Sequence, residues 1–200
     1  MKTILKTAPL VMPISLEEAK KHCNIVLGFT DDDAYLETLI AAAVEEVESL
    51  MVRRIISQTW YYYLDEWPSE EYISIPYGKL QSAVAPVVTY TDTDESAETL
   101  TAATYYLVDT NSEPGRLILR YGMSWPTVTL SPMNPIKIEF VCGYGLTGST
   151  VPPTIIQAIK YLVADTYENR ETMVVGQGFT VVQVDLVEKL LWPHKVHGVF

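Results

Sequence analysis

The sequence predicts an α+β protein, a small helical bundle interrupted by an antiparallel β segment. Three observations carry this. Apolar residues recur at helical spacing before residue 55 and again after residue 152, the mark of amphipathic helices. Between residues 57 and 145 the period falls to about two, in runs rich in Tyr, Val, Ile and Thr and broken by Pro, Gly, Asp and Ser. Two cysteines in 200 residues make no disulfide framework, so the fold must rest on its apolar core.

The first helix is predicted over about residues 15–24. Ser15 and Glu18 have capping-box spacing, in which hydroxyl and carboxylate each satisfy an orphan backbone N–H. Residues 1–13 before it read as an extended arm. The second helix is predicted over about 31–54. Thr30 offers an N-cap, and Asp31, Asp32 and Asp33 place negative charge where the helix dipole favours it. The Asp run lacks the glycine and the closing Glu of a calcium loop, so it reads as capping. Leu36, Leu39, Ile40, Ala43, Val44, Val47, Leu50 and Met51 form the buried stripe, while Glu37, Glu45, Glu46 and Glu48 fall off it. Arg53 and Arg54 supply the charge a helix C-terminus prefers.

Strands are predicted at Gln58–Leu64, Tyr72–Ile75, Val84–Thr91, Thr104–Val108, Leu117–Tyr121 and Pro135–Cys142, with a hairpin tip at 92–96. Glu113-Pro114-Gly115 reads as a tight turn with positive φ at the glycine. A third helix follows over about 153–172, opened by Pro152 and Pro153. Gly176 and Gly178 break the chain, residues 179–184 read as a strand or arm, and a short last helix covers about 185–192, stopped by Pro193. The expected organisation is a single domain, 1–200, with a β insertion at 57–146 and a C-terminal arm and short helix at 174–200.

Function classes narrow by composition. The net charge is −11, and an acidic chain gains little from counterion release on DNA. The doublets Lys20-Lys21 and Arg53-Arg54 read as solvated helix surface. No apolar run reaches the length of a membrane span, and the N-terminus lacks the apolar stretch of a signal peptide. Cys142 reads as a small core residue and Cys23 as part of an amphipathic helix. His22 and Cys23 are adjacent on a helix and point about 100° apart, so they cannot readily share a proton. His194 and His197 read as tail residues. No nucleophile elbow, phosphate loop, Cys-x-x-Cys pair or dinucleotide fingerprint occurs. The expectation is therefore no enzyme, no catalytic residue, no metal and no cofactor.

Two aromatic groups stand out as candidate binding residues. Trp60, Tyr62 and Trp67 lie in or beside one strand, where alternation puts Trp60 and Tyr62 on one face and Tyr61 and Tyr63 on the other. One pair is expected in the core and the other half-exposed or at an interface; Trp60, Tyr62 and Trp67 are the subunit-interface candidates, and a sugar platform is the alternative. Leu190, Leu191 and Trp192 sit on a short helix behind a glycine break, as an anchor for a partner's pocket or as a segment folded back on the bundle.

Several short motifs occur in a fixed order: 13–20 (Pro-Ile-Ser-Leu-Glu-Glu-Ala-Lys), the acidic run before an Ala-rich helix, Gln58-Thr59-Trp60, Ser112–Arg116, Tyr121–Pro126, Val141–Gly145 and Tyr167–Glu171. In this order the chain resembles the phage head–tail connector (adaptor) proteins of the phiE125 gp8-like group, relatives of the HK97 gp6-like connectors, from about Pro13 to Trp192. The resemblance implies a structural virion protein that forms a homo-oligomeric ring of roughly a dozen subunits under the portal. It implies a channel that DNA traverses without specific binding, with a tail or stopper protein on the far side. It places the chain at the head–tail interface of the virion, and in host cytoplasm during assembly, with no membrane partner. The portal contact would fall on the C-terminal segment: Phe179, Val184, Leu190, Leu191 and Trp192. Acids of the 31–54 helix or of the 92–98 tip are candidates to line the channel. The rival readings are a β-rich carbohydrate- or receptor-binding module and a hydrolase with an unrecognised carboxylate pair.

Overall fold

A computed structural model describes residues 2–169 and 182–196. Four α-helices and two antiparallel sheets make up an α+β fold, with the strands between the second and third helices apart from one at the N-terminus. The described chain divides into two compact units. A β unit holds residues 2–9, 57–144 and 196; a helical unit holds 10–56, 145–169 and 182–195.

The helical unit is built from α1 (Leu16–His22), α2 (Asp33–Met51), α3 (Pro153–Glu168) and α4 (Val182–Leu191). The capping box at α1 is present: the Glu18 N–H donates to Ser15 Oγ at 3.2 Å, and the Ser15 N–H donates to Glu18 Oε2 at 3.0 Å. The same bond, from the Ser15 backbone first, lowers the Glu18 pKa. Leu36, Ile40, Ala43, Val47 and Met51 of α2 are buried, as the stripe requires, and α2 packs on α1, α3 and α4. Ile155, Ala158, Ile159 and Val163 are the buried face of α3. Gly148 fits where it does because a Cβ there would strike the Pro13 carbonyl.

Charged residues of this unit depart from expectation. Asp32 is the N-cap of α2 but makes no side-chain cap bond; its carboxylate accepts from the Tyr167 hydroxyl at 2.7 Å. Asp33 pairs with Lys20, which also donates to the Phe29 carbonyl at 2.7 Å and is only 4% exposed. The acidic run thus ties α2 to its neighbours. Arg53 is not solvated either: it is buried and donates to the His194 carbonyl at 2.9 Å. Glu48 is buried as well. Its Oε1 accepts the Ile55 N–H at 2.8 Å and its Oε2 accepts from Arg54 at 3.0 Å, which closes the chain after the left-handed Val52. Periodicity misplaced these groups because each is desolvated only with a hydrogen-bonded partner in hand.

The β unit contains β1 (Lys2–Thr7), β2 (Gln58–Leu64), β3 (Tyr72–Ser74), β4 (Val87–Thr91), β5 (Ala97–Leu100), β6 (Tyr106–Asp109), β7 (Arg116–Leu119) and β8 (Ile136–Cys142). Five strands form one sheet in the order β1-β2-β8-β4-β5, and three form another in the order β3-β7-β6. Both sheets contribute to one core, which includes Tyr62, Ile73, Leu117, Ile138, Phe140 and Cys142. Strict alternation shows in β8, where Ile136, Ile138, Phe140 and Cys142 point inward.

Two strands were not anticipated. The N-terminal arm is in part a strand, with Lys2 opposite Tyr63 and Leu5 opposite Trp60. After the tip at 92–96 the chain returns as β5, with Tyr90 opposite Glu98. Val84 lies outside β4 and is exposed. The 113–115 turn is present with a cis Glu113–Pro114 bond, but Gly115 is not at positive φ. Glycine is required there because a Cβ would lie 2.7 Å from Leu80 Cβ.

Candidate functional site

The C-terminal tryptophan is positioned from the residues upward. Helix α4 runs Val182–Leu191 and passes into a 3₁₀ turn, Trp192–His194, with Pro193 in its first turn. Residues 182–184, read from sequence as strand or arm, are already helical. Val187 and Leu191 are buried, and α4 packs on α3 and α2. Of the two arrangements open in the sequence, the segment takes the one folded back on the bundle. The 3₁₀ turn is held at both ends of its last residue: Arg53 bonds the His194 carbonyl, and His194 Nε2 lies 2.8 Å from Thr154 Oγ1.

This packing separates the predicted portal-contact residues. Leu191 is 3% exposed and belongs to the core of the helical unit, while Trp192 is 64% exposed. Leu190 is half-buried between them. A small open groove of about 100 Å³ runs beside the indole, lined by Leu50, Glu188, Leu191, Trp192 and Lys195. Val184 lies on α4, with its side chain outside the described residues, as is all of Phe179. The 176–178 glycine break and positions 170–171 of the last motif also lie outside them.

The β2 aromatics sort by face as strand alternation predicts, Trp60 and Tyr62 toward the core and Tyr61 and Tyr63 away from it. Tyr62 is buried in the β core, where desolvation pushes its hydroxyl pKa up. Trp60 is half-buried, tilted against Tyr77 at 4.8 Å between ring centres. Trp67 is stacked on Trp125 at 5.1 Å and meets Tyr90 edge-on at 5.8 Å. These rings are engaged with one another and do not form an open platform. The reason is the core: the Trp60/Tyr62 face of β2 is the one packed against Ile138, Phe140 and Leu117. Tyr61 and Tyr63 lie on the outward face. Lys6 and Lys137 hold their ammonium groups 5.2 and 5.3 Å from the centre of the Tyr61 ring. Sequence reading saw no basic cluster because these lysines are 131 positions apart.

Two further polar groups have defined surroundings. The Ser112–Arg116 motif is a clamp on Asp109, whose carboxylate accepts from the Ser112 hydroxyl, from Arg116 at 3.0 Å and from the N–H groups of Asn111 and Ser112. These bonds, the Ser112 hydroxyl first, hold its carboxyl well below the usual carboxylate range. Burial, with Glu168 second, pushes the Cys23 thiol up and away from nucleophilic use. Among the described residues no group of three or more His, Cys, Asp or Glu converges as a metal site, and no helix is long and apolar enough to cross a membrane.

Residues 13–108 match the model of the family described as phage gp6-like head-tail connector protein. In fold the likeness runs the whole length. A chain from the neck of an empty gene transfer agent (GTA) particle, determined with C6 symmetry, superposes with a TM-score of 0.81 at 20% identity, covering 100% of this chain and 98% of that one. A chain of the native gene transfer agent virion gives 0.77 at 20% identity, and one from the native neck determined with C12 symmetry gives 0.76 at 19%, with the same coverage. No curated protein matches the sequence. The fold is thus that of chains found in the necks of phage-like particles, and the connector sequence pattern spans parts of both units.

Proposed function

We propose that this chain is a structural connector subunit of a phage-like particle, forming a ring between portal and tail that extends the DNA channel. The observation that carries the reading is the conjunction of the connector family match over 13–108 with a neck-protein fold over the whole chain. The finer kinship with phiE125 gp8-like connectors rests on the ordered motifs. Virion location and a ring of about twelve copies belong to the same proposal. The acidic balance of −11 suits a tunnel through which DNA slides, and the 92–98 tip is the favoured wall.

Trp192 is the portal anchor of this reading. An exposed indole beside an apolar groove, on a turn pinned by Arg53, is a rigid hot-spot geometry. Leu190 borders it, and Leu191 supports it from beneath. The test is co-purification of the chain with the portal protein of the same particle. Trp192→Ala should weaken that complex at least about thirtyfold, as loss of a hot-spot residue does, with the circular dichroism unchanged. Undiminished portal binding by Trp192→Ala removes the anchor; absence of portal binding by the wild-type chain removes the connector reading.

A further inference from the structure

The outward face of the five-stranded sheet carries a charge opposite to that of the chain. Strand register places Lys2 beside Tyr63 and Tyr63 beside Lys137, and it places Ile4 beside Tyr61 and Tyr61 beside Glu139. Lys6 pairs with Glu139 at 2.6 Å over the Tyr61 ring, and that hydrogen bond raises the Lys6 pKa. The face therefore holds three lysines against one glutamate, in a protein of net charge −11. At its centre are the Tyr61 and Tyr63 rings, 6.2 Å apart, with Ile4 and Val87 exposed nearby. Such a face is both apolar and basic, and Ile4, Lys6 and Val87 on it are exposed among the described residues.

The helical unit presents the complement. The side of α2 opposite its buried stripe exposes Ala34, Ala42 and Glu45, with Glu37 and Glu46 exposed on its two flanks. None of these three glutamates forms an ion pair among the described residues. Small residues let a helix lie close to a sheet, and flanking carboxylates can reach lysines at its margins.

We infer that the Lys2/Lys6/Lys137–Tyr61/Tyr63 face of one copy receives the acidic, alanine-lined face of α2 from a second copy. The inference rests on the connector reading and names the surfaces by which the ring closes. Opposite charges choose this pairing. Sheet against sheet would oppose lysines, and helix against helix would oppose glutamates, so two-fold association through either surface is disfavoured. Two different surfaces on each copy give a head-to-tail contact, the kind that closes into a ring. The α2 glutamates are then interface residues and do not line a channel.

Reciprocal charge reversal tests this. One variant carries Lys2→Glu and Lys137→Glu; the other carries Glu45→Lys and Glu46→Lys. Each alone opposes like charges at the contact, and the concentration for half-assembly, read by native mass spectrometry and sedimentation, should rise at least about tenfold. Mixed in equal amounts, the two restore both contacts in alternation. Assembly should then return to within about threefold of wild type, as rings with even subunit numbers, and weaken with added salt. Variants that each assemble like wild type overturn the inference and leave the connector reading standing. So does a defect in the lysine variant alone, which would assign the basic face to another acidic partner such as DNA. A mixture that fails to assemble overturns it as well. A wild-type chain that stays monomeric at about 1 mM overturns it too, and portal co-purification then judges the connector reading separately.

Discussion

At the scale of single residues, the charged groups decide more than their positions in the sequence suggest. Glu48 reads as one of four wet glutamates on α2, yet it closes the turn after the helix by accepting the Ile55 N–H and pairing with Arg54. Removing it leaves a buried N–H and a shielded guanidinium without their acceptor. Glu48→Ala should therefore cost about 3 kcal/mol in urea denaturation, and Glu48→Gln, which can still accept the N–H, clearly less. Asp109 gives the pH dependence. Its folded pKa is depressed, so the clamp's contribution is present above the unfolded value of about 3.9 and is lost as pH falls below it. Asp109→Asn should lower stability at pH 7 and flatten the loss of stability as pH falls from about 5 to about 2, measured by denaturation midpoints across that range. If the variant keeps the wild-type acid profile, the clamp is not an acid-sensitive element.

At the scale of elements, the strongest periodic signals became the parts they predicted. The stripe of α2 and the alternation of β8 each place a row of apolar side chains on one face, and each row is core. Elements without an apolar face of their own were harder to see. Strand β1 is an exposed edge held by pairing with β2, so its sequence carries little burial pattern. Strand β5 has three exposed residues in four. Helix α4 shows how one turn divides two tasks: Leu191 packs and Trp192 projects. Leu191→Ala should cost about 2–5 kcal/mol by cavity formation and Trp192→Ala clearly less, both read by thermal or chemical unfolding. Equal losses in the two variants would show that the indole packs as part of the fold.

At the scale of the whole molecule, the order of the motifs carried the resemblance to connectors, and the connector pattern matches over residues 13–108. The motifs proved to be the fold's fastenings: a capping box at Ser15, a carboxylate clamp at Asp109, and the Trp125 indole donating to the Glu70 carbonyl at 2.9 Å. The candidate interfaces were legible only in part. Trp192 stood out because a tryptophan near a proline stop is conspicuous in any sequence. Tyr62 and Trp67 were conspicuous as part of an aromatic run and turned out to be engaged inside the β unit. The basic sheet face escaped notice because its lysines come from the N-terminal strand and from β8.

The sequence by itself determined the α+β class, the helices with broad apolar stripes, the central strands and the helix cap at Ser15. Those follow from local periodicity and from hydrogen bonds between near neighbours. Only the tertiary structure decided which aromatic rings face outward, that Arg53 and Glu48 are buried, and that distant lysines share one surface. These depend on which strands pair and in what register, and pairing is set by contacts between residues far apart in the chain.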